Sequence, residues 1–139
     1  MQAYAAKFEL PIRLSTNVTS LTRGNGTYVA KAGDEALEAR QVVVATGPFH
    51  VPFIPPIDGS AAEFDAVVWA TGFAADHSWI DVQEAKDDQG RIVHTRGVTR
   101  SPGLYALGLT WQHTRGSALL GWVGNDAAFL ATQIAAANR

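Results

Sequence analysis

The hydrophobic pattern changes period several times along the chain, and each change predicts an element. Tyr4 and Phe8 stand four residues apart, the spacing of one helix face, and Pro11 closes the stretch, so residues 2–8 are predicted helical. Residues 12–16 (Ile-Arg-Leu-Ser-Thr) alternate apolar and polar, as a half-buried strand does. Val18 to Arg23 alternates again, and Thr27 to Ala32 is its return strand. Gly24-Asn25-Gly26 between them tolerates positive φ and predicts a hairpin turn. Gly33-Asp34 turns the chain once more, and Leu37 to Arg40 leads into Val42–Ala45. The first third of the chain is thus predicted to be an antiparallel meander feeding one strongly apolar strand.

Pro48, Pro52, Pro55 and Pro56 make residues 48–62 an extended, irregular connector, since proline fixes φ and lacks a ladder donor. Asp65 opens a second apolar strand, Ala66–Ala70; residues 73–80 are predicted to be a loop or short helix. Residues 81–101 are predicted to form a surface hairpin turning at Asp87-Asp88-Gln89-Gly90, and Leu104–Leu107 another buried strand. The C-terminus is predicted helical, with an apolar start at Leu119, Leu120 and Val123, a possible cap at Asn125 or Asp126, and an end near Ala137.

Two of the apolar strands end alike. Val42-Val43-Val44-Ala45-Thr46-Gly47 recurs 25 residues later as Val67-Val68-Trp69-Ala70-Thr71-Gly72. Each is a buried strand followed by a small residue, a hydroxyl and a glycine, the signature of a tight backbone turn. Gly103-Leu104-Tyr105-Ala106-Leu107-Gly108 follows them.

Composition narrows the chemistry. With 139 residues the chain suffices for one domain with a core, whereas two dinucleotide-binding domains need roughly 100–200 residues each. A net charge of −2 provides no electrostatic footprint for nucleic acid or an anionic membrane. Cysteine is absent, which excludes disulfides, thiolate metal sites and a Cys-x-x-Cys reductase mechanism in these residues. No apolar run approaches the about 20 residues of a membrane span, and the N-terminus lacks the pattern of a secretory signal, so a cytoplasmic location is expected. His50, His77 and His94 have no metal-ligand spacing and are expected to be structural or at the surface. Trp69, Trp79 and Trp111 are expected in the core or an interface, since no basic residues interleave with them. The hydroxyls of Thr46 and Thr71 either contact a cofactor or satisfy backbone groups at a strand end.

In order and combination these motifs resemble the flavin-containing monooxygenase-like group of FAD/NAD(P)-dependent oxidoreductases. The resemblance runs over two blocks, 1–59 and 64–139, and includes Phe64-Asp65 before the second strand and Trp111-Gln112-His113-Thr114-Arg115-Gly116 before the last helix. It implies an α+β fold, a fragment of the FAD/NAD(P)-binding three-layer fold, with residues 1–139 forming a single partial FAD-binding domain. The implied cofactor contacts are Val18, whose backbone sits where that family meets adenine; Ala45, Thr46, Gly47, Thr71 and Gly72, in the two turns where the chain passes between FAD and NADPH domains; and Gly108, on the strand that leads to the flavin. The helix after that strand is expected to aim its N-terminus at the cofactor. Arg115 and Gly116, with His113, either line a flavin or substrate pocket or form a solvated loop. No catalytic residue and no metal ligand is implied.

The sequence also departs from that family. It contains no Gly-x-Gly-x-x-Gly turn for a dinucleotide diphosphate: Gly24-Asn25-Gly26 has Val29 where the third glycine belongs and lies between strands rather than before a helix. Ser60-Ala61-Ala62-Glu63 alone separates the two blocks where the family has an NADPH domain. Leu109 follows Gly108 where many relatives place an aspartate for the ribityl chain, and Trp122 is bulky in a Gly/Val-rich segment. The expectation is a partial flavoprotein domain without catalysis of its own, with FAD binding weak or absent and NADPH binding not expected. Two alternatives stay open: a self-associating or partner-binding module, and a subunit completing a split flavoenzyme. A homo-oligomer, a dimer in the simplest case, or a partner supplying the missing domain is expected to cover the exposed apolar strands.

Overall fold

The computed structural model describes residues 2–53, 68 and 70–138. It is a mixed α+β arrangement of two α-helices and three small sheets, the two larger of which pack about one apolar cluster. Helix α1, Gln2–Lys7, brings the Tyr4 and Phe8 rings to 4.7 Å. It stops by backbone geometry before Pro11 is reached: Glu9 takes φ 49°, its N–H bonds to the Ala6 carbonyl, and the Leu10 N–H bonds to that of Ala5. This pair of bonds is the left-handed helix stop of a Schellman motif.

The strand expected over 12–16 does not form. These residues are exposed, and Ser15 turns at φ 54°. Alternation without a ladder partner leaves Ile12 and Leu14 with no core to face. The meander itself is present: β1 (Val18–Gly24), β2 (Thr27–Ala32) and β3 (Glu35–Ala39) pair antiparallel, with a register shift between Val18 and Ser20 and with Asn25-Gly26 as the two-residue turn. Both turn residues have positive φ, 52° and 78°, matching the twist of the flanking strands.

Strand β4 (Val42–Val44) is followed by β5 (Val51–Pro52), which pairs antiparallel with β6 (Phe73–Ala74). Part of the segment expected to be a loop or short helix is therefore a strand. The expected strand 66–70 falls mostly outside the described residues, as do Asp65 and Trp69; Val68 is 87% exposed and outside any strand. Beyond β6, β7 (Ile80–Asp81) adds parallel to β1, so the first sheet runs β3-β2-β1-β7.

The region read as one hairpin contains two turns. A bridge between Lys86 and Ile92 closes over the Asp87–Gly90 turn, and a hairpin of β8 (His94–Thr95) and β9 (Val98–Thr99) follows. At the first turn Asp87 accepts from the Gln89 and Arg91 N–H groups and from Arg91 Nε, and these bonds hold its carboxyl below the usual range. Strand β10 (Leu104–Ala106) pairs parallel with β4 and antiparallel with β9. All three of its residues are buried, which explains its unbroken apolar run. Helix α2 spans Val123–Ala137. Leu119 and Leu120 belong to turns before it rather than to its first turn, and Leu120 is 91% exposed. Asp126 is not a cap: it is buried on the helix and pairs with Arg96 of the β8–β9 turn, whose guanidinium also lies 4.5 Å from the Phe129 ring.

The core joins both larger sheets. Leu21 and Tyr28 from the meander meet Val44, Ile80, Val82, Ala85 and Leu104. Tyr28 is fully buried and its hydroxyl donates to the Pro102 carbonyl at 2.8 Å, leaving Ser101 Oγ, at 2.9 Å, to donate to it. Gly103 permits this contact. Its φ is 87°, and a Cβ there would lie 2.6 Å from the Arg40 carbonyl and 3.3 Å from the Tyr28 ring. Among the described residues no helix is long and apolar enough to cross a membrane.

Two substitutions test this junction. Tyr28→Phe leaves the Pro102 carbonyl without its donor and is expected to destabilise by about 1–3 kcal/mol. Tyr28→Ala adds a cavity and is expected to cost about 3–5 kcal/mol. Urea unfolding followed by tryptophan fluorescence measures both; equal midpoints for wild type and Tyr28→Phe would remove the hydroxyl from the account.

Candidate cofactor groove

Strands β4 and β10 are parallel, so their carboxyl ends lie side by side. Thr46-Gly47 leaves one and Gly108 the other, the position at which open parallel sheets bind ligands. An open groove of roughly 680 Å³ lies between the segments that follow the two strands. Phe49 lines it from the β4 side, and Trp111, Leu119, Trp122, Arg115 and Gly116 from the β10 side. Among the described residues Arg115 is the one charged side chain of this lining.

The loop after β10 is shaped by buried polar side chains. Gln112 Oε1 accepts the Leu109 N–H at 3.2 Å, and Ser117 Oγ accepts those of His113 and Thr114 at 3.2 and 3.0 Å. Both side chains are buried, so the bonds are made away from water. Leu109, in the place of the family's aspartate, is buried as well. Trp111, expected in the core or an interface, is 67% exposed, at φ 58°, on the groove wall, which rules out the core and leaves the interface. Trp122 packs over Gly116, where a Cβ would lie 2.8 Å from the indole ring.

The candidate contacts divide by position. Arg115 and Gly116 line the groove, and Gly108 begins the loop that forms it. Ala45 and Thr46 are exposed beside it; the Thr46 carbonyl contacts His50 Nε2 at 3.0 Å. Thr71 Oγ1 donates to the Phe53 carbonyl, and the Phe53 N–H donates to the Gly72 carbonyl at 2.9 Å. The two Ala-Thr-Gly exits are therefore hydrogen-bonded to each other, and the Phe49 and Phe73 rings meet edge-on at 5.9 Å. Gly47 and Gly72 have φ of 72° and 82°, and a Cβ on either would meet nothing within 4 Å. Backbone conformation, not crowding, requires glycine there. Val18 stands apart, at the far end of β1 from the Asn25-Gly26 turn, paired with Ala32.

The histidines gain partners that the sequence hid. His50 and His77, 27 positions apart, lie 6.0 Å apart edge-on. His77 is buried and its Nε2 has no partner among the described residues. Burial is the main cause that holds its pKa below the ordinary 6.5, with His50 nearby adding to it. His94 is lowered by burial too, and its Nδ1 accepts the Gly97 N–H at 3.2 Å. Among the described residues no cluster of acidic or histidine side chains fits a metal ion.

The groove's residues fit one end of a flavin nucleotide and not the other. Aromatic walls suit a flat ring, and a single guanidinium suits the oxygen-bearing edge of one. A diphosphate needs free backbone N–H groups at a helix start. Here the Val123 and Asn125 N–H groups already bond to the carbonyls of Leu119 and Trp122, and the first turn of α2 carries buried Asp126. The helix N-terminus follows Trp122 of the groove lining, with two of its first N–H groups already bonded.

Sequence comparison finds relatives for part of the chain. Residues 1–64 match the pyridine nucleotide-disulphide oxidoreductase family. Over 77 residues, 55% of this chain, the sequence is 51% identical to an uncharacterized oxidoreductase CzcO-like of Geobacillus kaustophilus. Over the same length it is 49% identical to the uncharacterized oxidoreductase CzcO of Bacillus subtilis and 48% to that of Bacillus velezensis. The match spans 22% of the length of each of these relatives. These partial matches support a kinship with the FAD/NAD(P)-dependent oxidoreductases, a family whose members use flavin and nicotinamide cofactors. With no cysteine, this chain cannot itself carry a dithiol–disulfide step.

The histidine environments set a pH dependence. A base whose folded pKa is depressed binds fewer protons than the unfolded chain between that pKa and about 6.5, so stability falls as pH drops through this window. The Tm is expected to be flat above about pH 7 and to decline below about pH 6.5. His94→Asn, which offers Oδ1 to the Gly97 N–H without titrating, is expected to flatten part of that decline in a calorimetric pH series.

Proposed function

We propose that this chain is a partial FAD-binding domain of a flavoprotein oxidoreductase of the monooxygenase-like group, contributing the ring end of the flavin site and lacking catalysis alone. The observation that carries the reading is the groove at the carboxyl ends of β4 and β10, walled by Phe49, Trp111 and Trp122 with Arg115 at its side. The absence of any Gly-x-Gly-x-x-Gly turn in the sequence supports its incompleteness, because the diphosphate then has no backbone cradle. On this reading Ala45, Thr46, Gly47, Thr71, Gly72, Gly108, Arg115 and Gly116 form the flavin-proximal side, and Val18 serves the distant adenine end.

Activity on a nicotinamide nucleotide then requires a second polypeptide segment, as in a split flavoenzyme. A second reading, a self-associating module, is favoured by a specific surface: Tyr4, Phe8, Leu10, Ile12 and Leu14 are all exposed along the N-terminal segment. Contiguous exposed apolar side chains of this kind mark association surfaces.

The deciding experiment is a visible spectrum of the chain after addition of FAD and desalting, alone and co-expressed with the remaining portion of a CzcO-like relative. The expected result is no retained flavin band alone, and a band with NADPH oxidation in the complemented sample. Trp111→Ala in the complemented sample is expected to weaken flavin binding about tenfold, the scale of one aromatic stack. A stoichiometric band in the isolated chain overturns the proposal, as does complementation that Trp111→Ala leaves unaffected.

A further inference from the structure

The exits of the two Ala-Thr-Gly turns form a ribbon only two residue pairs long, Val51 with Ala74 and Pro52 with Phe73. His50 closes its end. The His50 backbone N–H donates to the Ala74 carbonyl at 3.3 Å. The ring spans the gap beyond: Nε2 lies 3.0 Å from the Thr46 carbonyl, and Nδ1 lies 2.8 Å from the Asp76 backbone nitrogen.

These partners leave one protonation state. A carbonyl only accepts, so Nε2 carries the hydrogen; a backbone N–H only donates, so Nδ1 carries the lone pair. The neutral Nε2–H tautomer makes both bonds. A second proton on Nδ1 places two donors face to face and removes the bond to Asp76. The charged and titratable groups around it are the Asp76 carboxylate, whose Oδ1 accepts the Ser78 N–H at 2.9 Å, the buried His77 ring edge-on at 6.0 Å, and Lys86 behind His77.

We propose that His50 is a proton-operated clasp, joining the first Ala-Thr-Gly turn to the segment after the second when neutral and releasing Asp76 when charged. Phe49, the wall of the groove on the β4 side, is the residue next to the clasp and shares its position. Imidazole is the side chain suited to the task, because one neutral ring both donates and accepts, and a second proton turns the accepting nitrogen into a donor. The clasp holds whether or not the groove takes a flavin, and its test needs no ligand.

The test is nitrogen NMR of the histidine rings and backbone amides of the whole chain across pH 5 to 8. His50 is expected in the Nε2–H tautomer at high pH. As its ring titrates, the Asp76 amide shift is expected to move with the same midpoint. The Asp76 exchange rate, corrected for its intrinsic pH dependence, is expected to rise roughly five- to tenfold, the worth of one hydrogen bond. The Leu21 amide, bonded to the Trp79 carbonyl in the core, serves as the unmoved reference. His50→Asn places Oδ1 near the position of Nδ1 and does not titrate, so Asp76 is expected to stay protected at every pH; His50→Ala is expected to show it released throughout. An Asp76 amide that ignores the His50 midpoint, or that titrates equally in His50→Asn, overturns the clasp and assigns the change to Asp76 or His77.

Discussion

Everything in this fold leans on the phenol of Tyr28. The meander is a local structure, its strands joined by tight turns, and two or three such strands bury little alone. Tyr28 carries its side chain out of that sheet and into the one built from β4, β10, β9 and β8. The ring supplies apolar area and the hydroxyl satisfies the Pro102 carbonyl at the start of β10, so one side chain couples the two sheets both by packing and by a directed bond. Gly103 is bound to the same requirement: the backbone must pass close to Arg40 and to the ring, and no Cβ fits between them.

With the sheets fixed, the parallel pairing of β4 and β10 decides where chemistry can occur. Parallel strands present both exits on one side, and the loop after β10 has the length to fold back over them. Gln112 and Ser117 shape that loop from beneath by accepting backbone N–H groups in buried surroundings. The groove that results is aromatic, with one guanidinium and with the Val123 and Asn125 N–H groups of the helix start already bonded. Its chemistry favours a ring over a diphosphate.

The repeated Ala-Thr-Gly segments gain their meaning from each other. The Thr71 hydroxyl and the Gly72 carbonyl both bond Phe53, which lies beyond the first turn, and His50 reaches from there to Thr46 and Asp76. The Thr71 hydroxyl thus satisfies a backbone group, one of the two roles open to it, although across 18 positions rather than locally.

The sequence by itself determined the elements whose causes are local. Asn25-Gly26 dictates a hairpin because both residues accept positive φ; the Leu-Tyr-Ala run dictates a strand buried on both faces; the alanine-rich C-terminus dictates a helix. The repeat and the Gly-Leu-Tyr-Ala-Leu-Gly strand were enough to indicate the oxidoreductase family. Local pattern failed where a ladder partner was required. Residues 12–16 alternate correctly and form no strand, whereas Phe73–Ala74, with no alternation to show, pairs with β5. Contacts between distant positions were decided only in three dimensions: Arg96 on Asp126, His50 beside His77, Trp111 on the groove wall. Each depends on which chain segment arrives opposite. That is set by the packing of whole sheets, and no spacing along the chain records it.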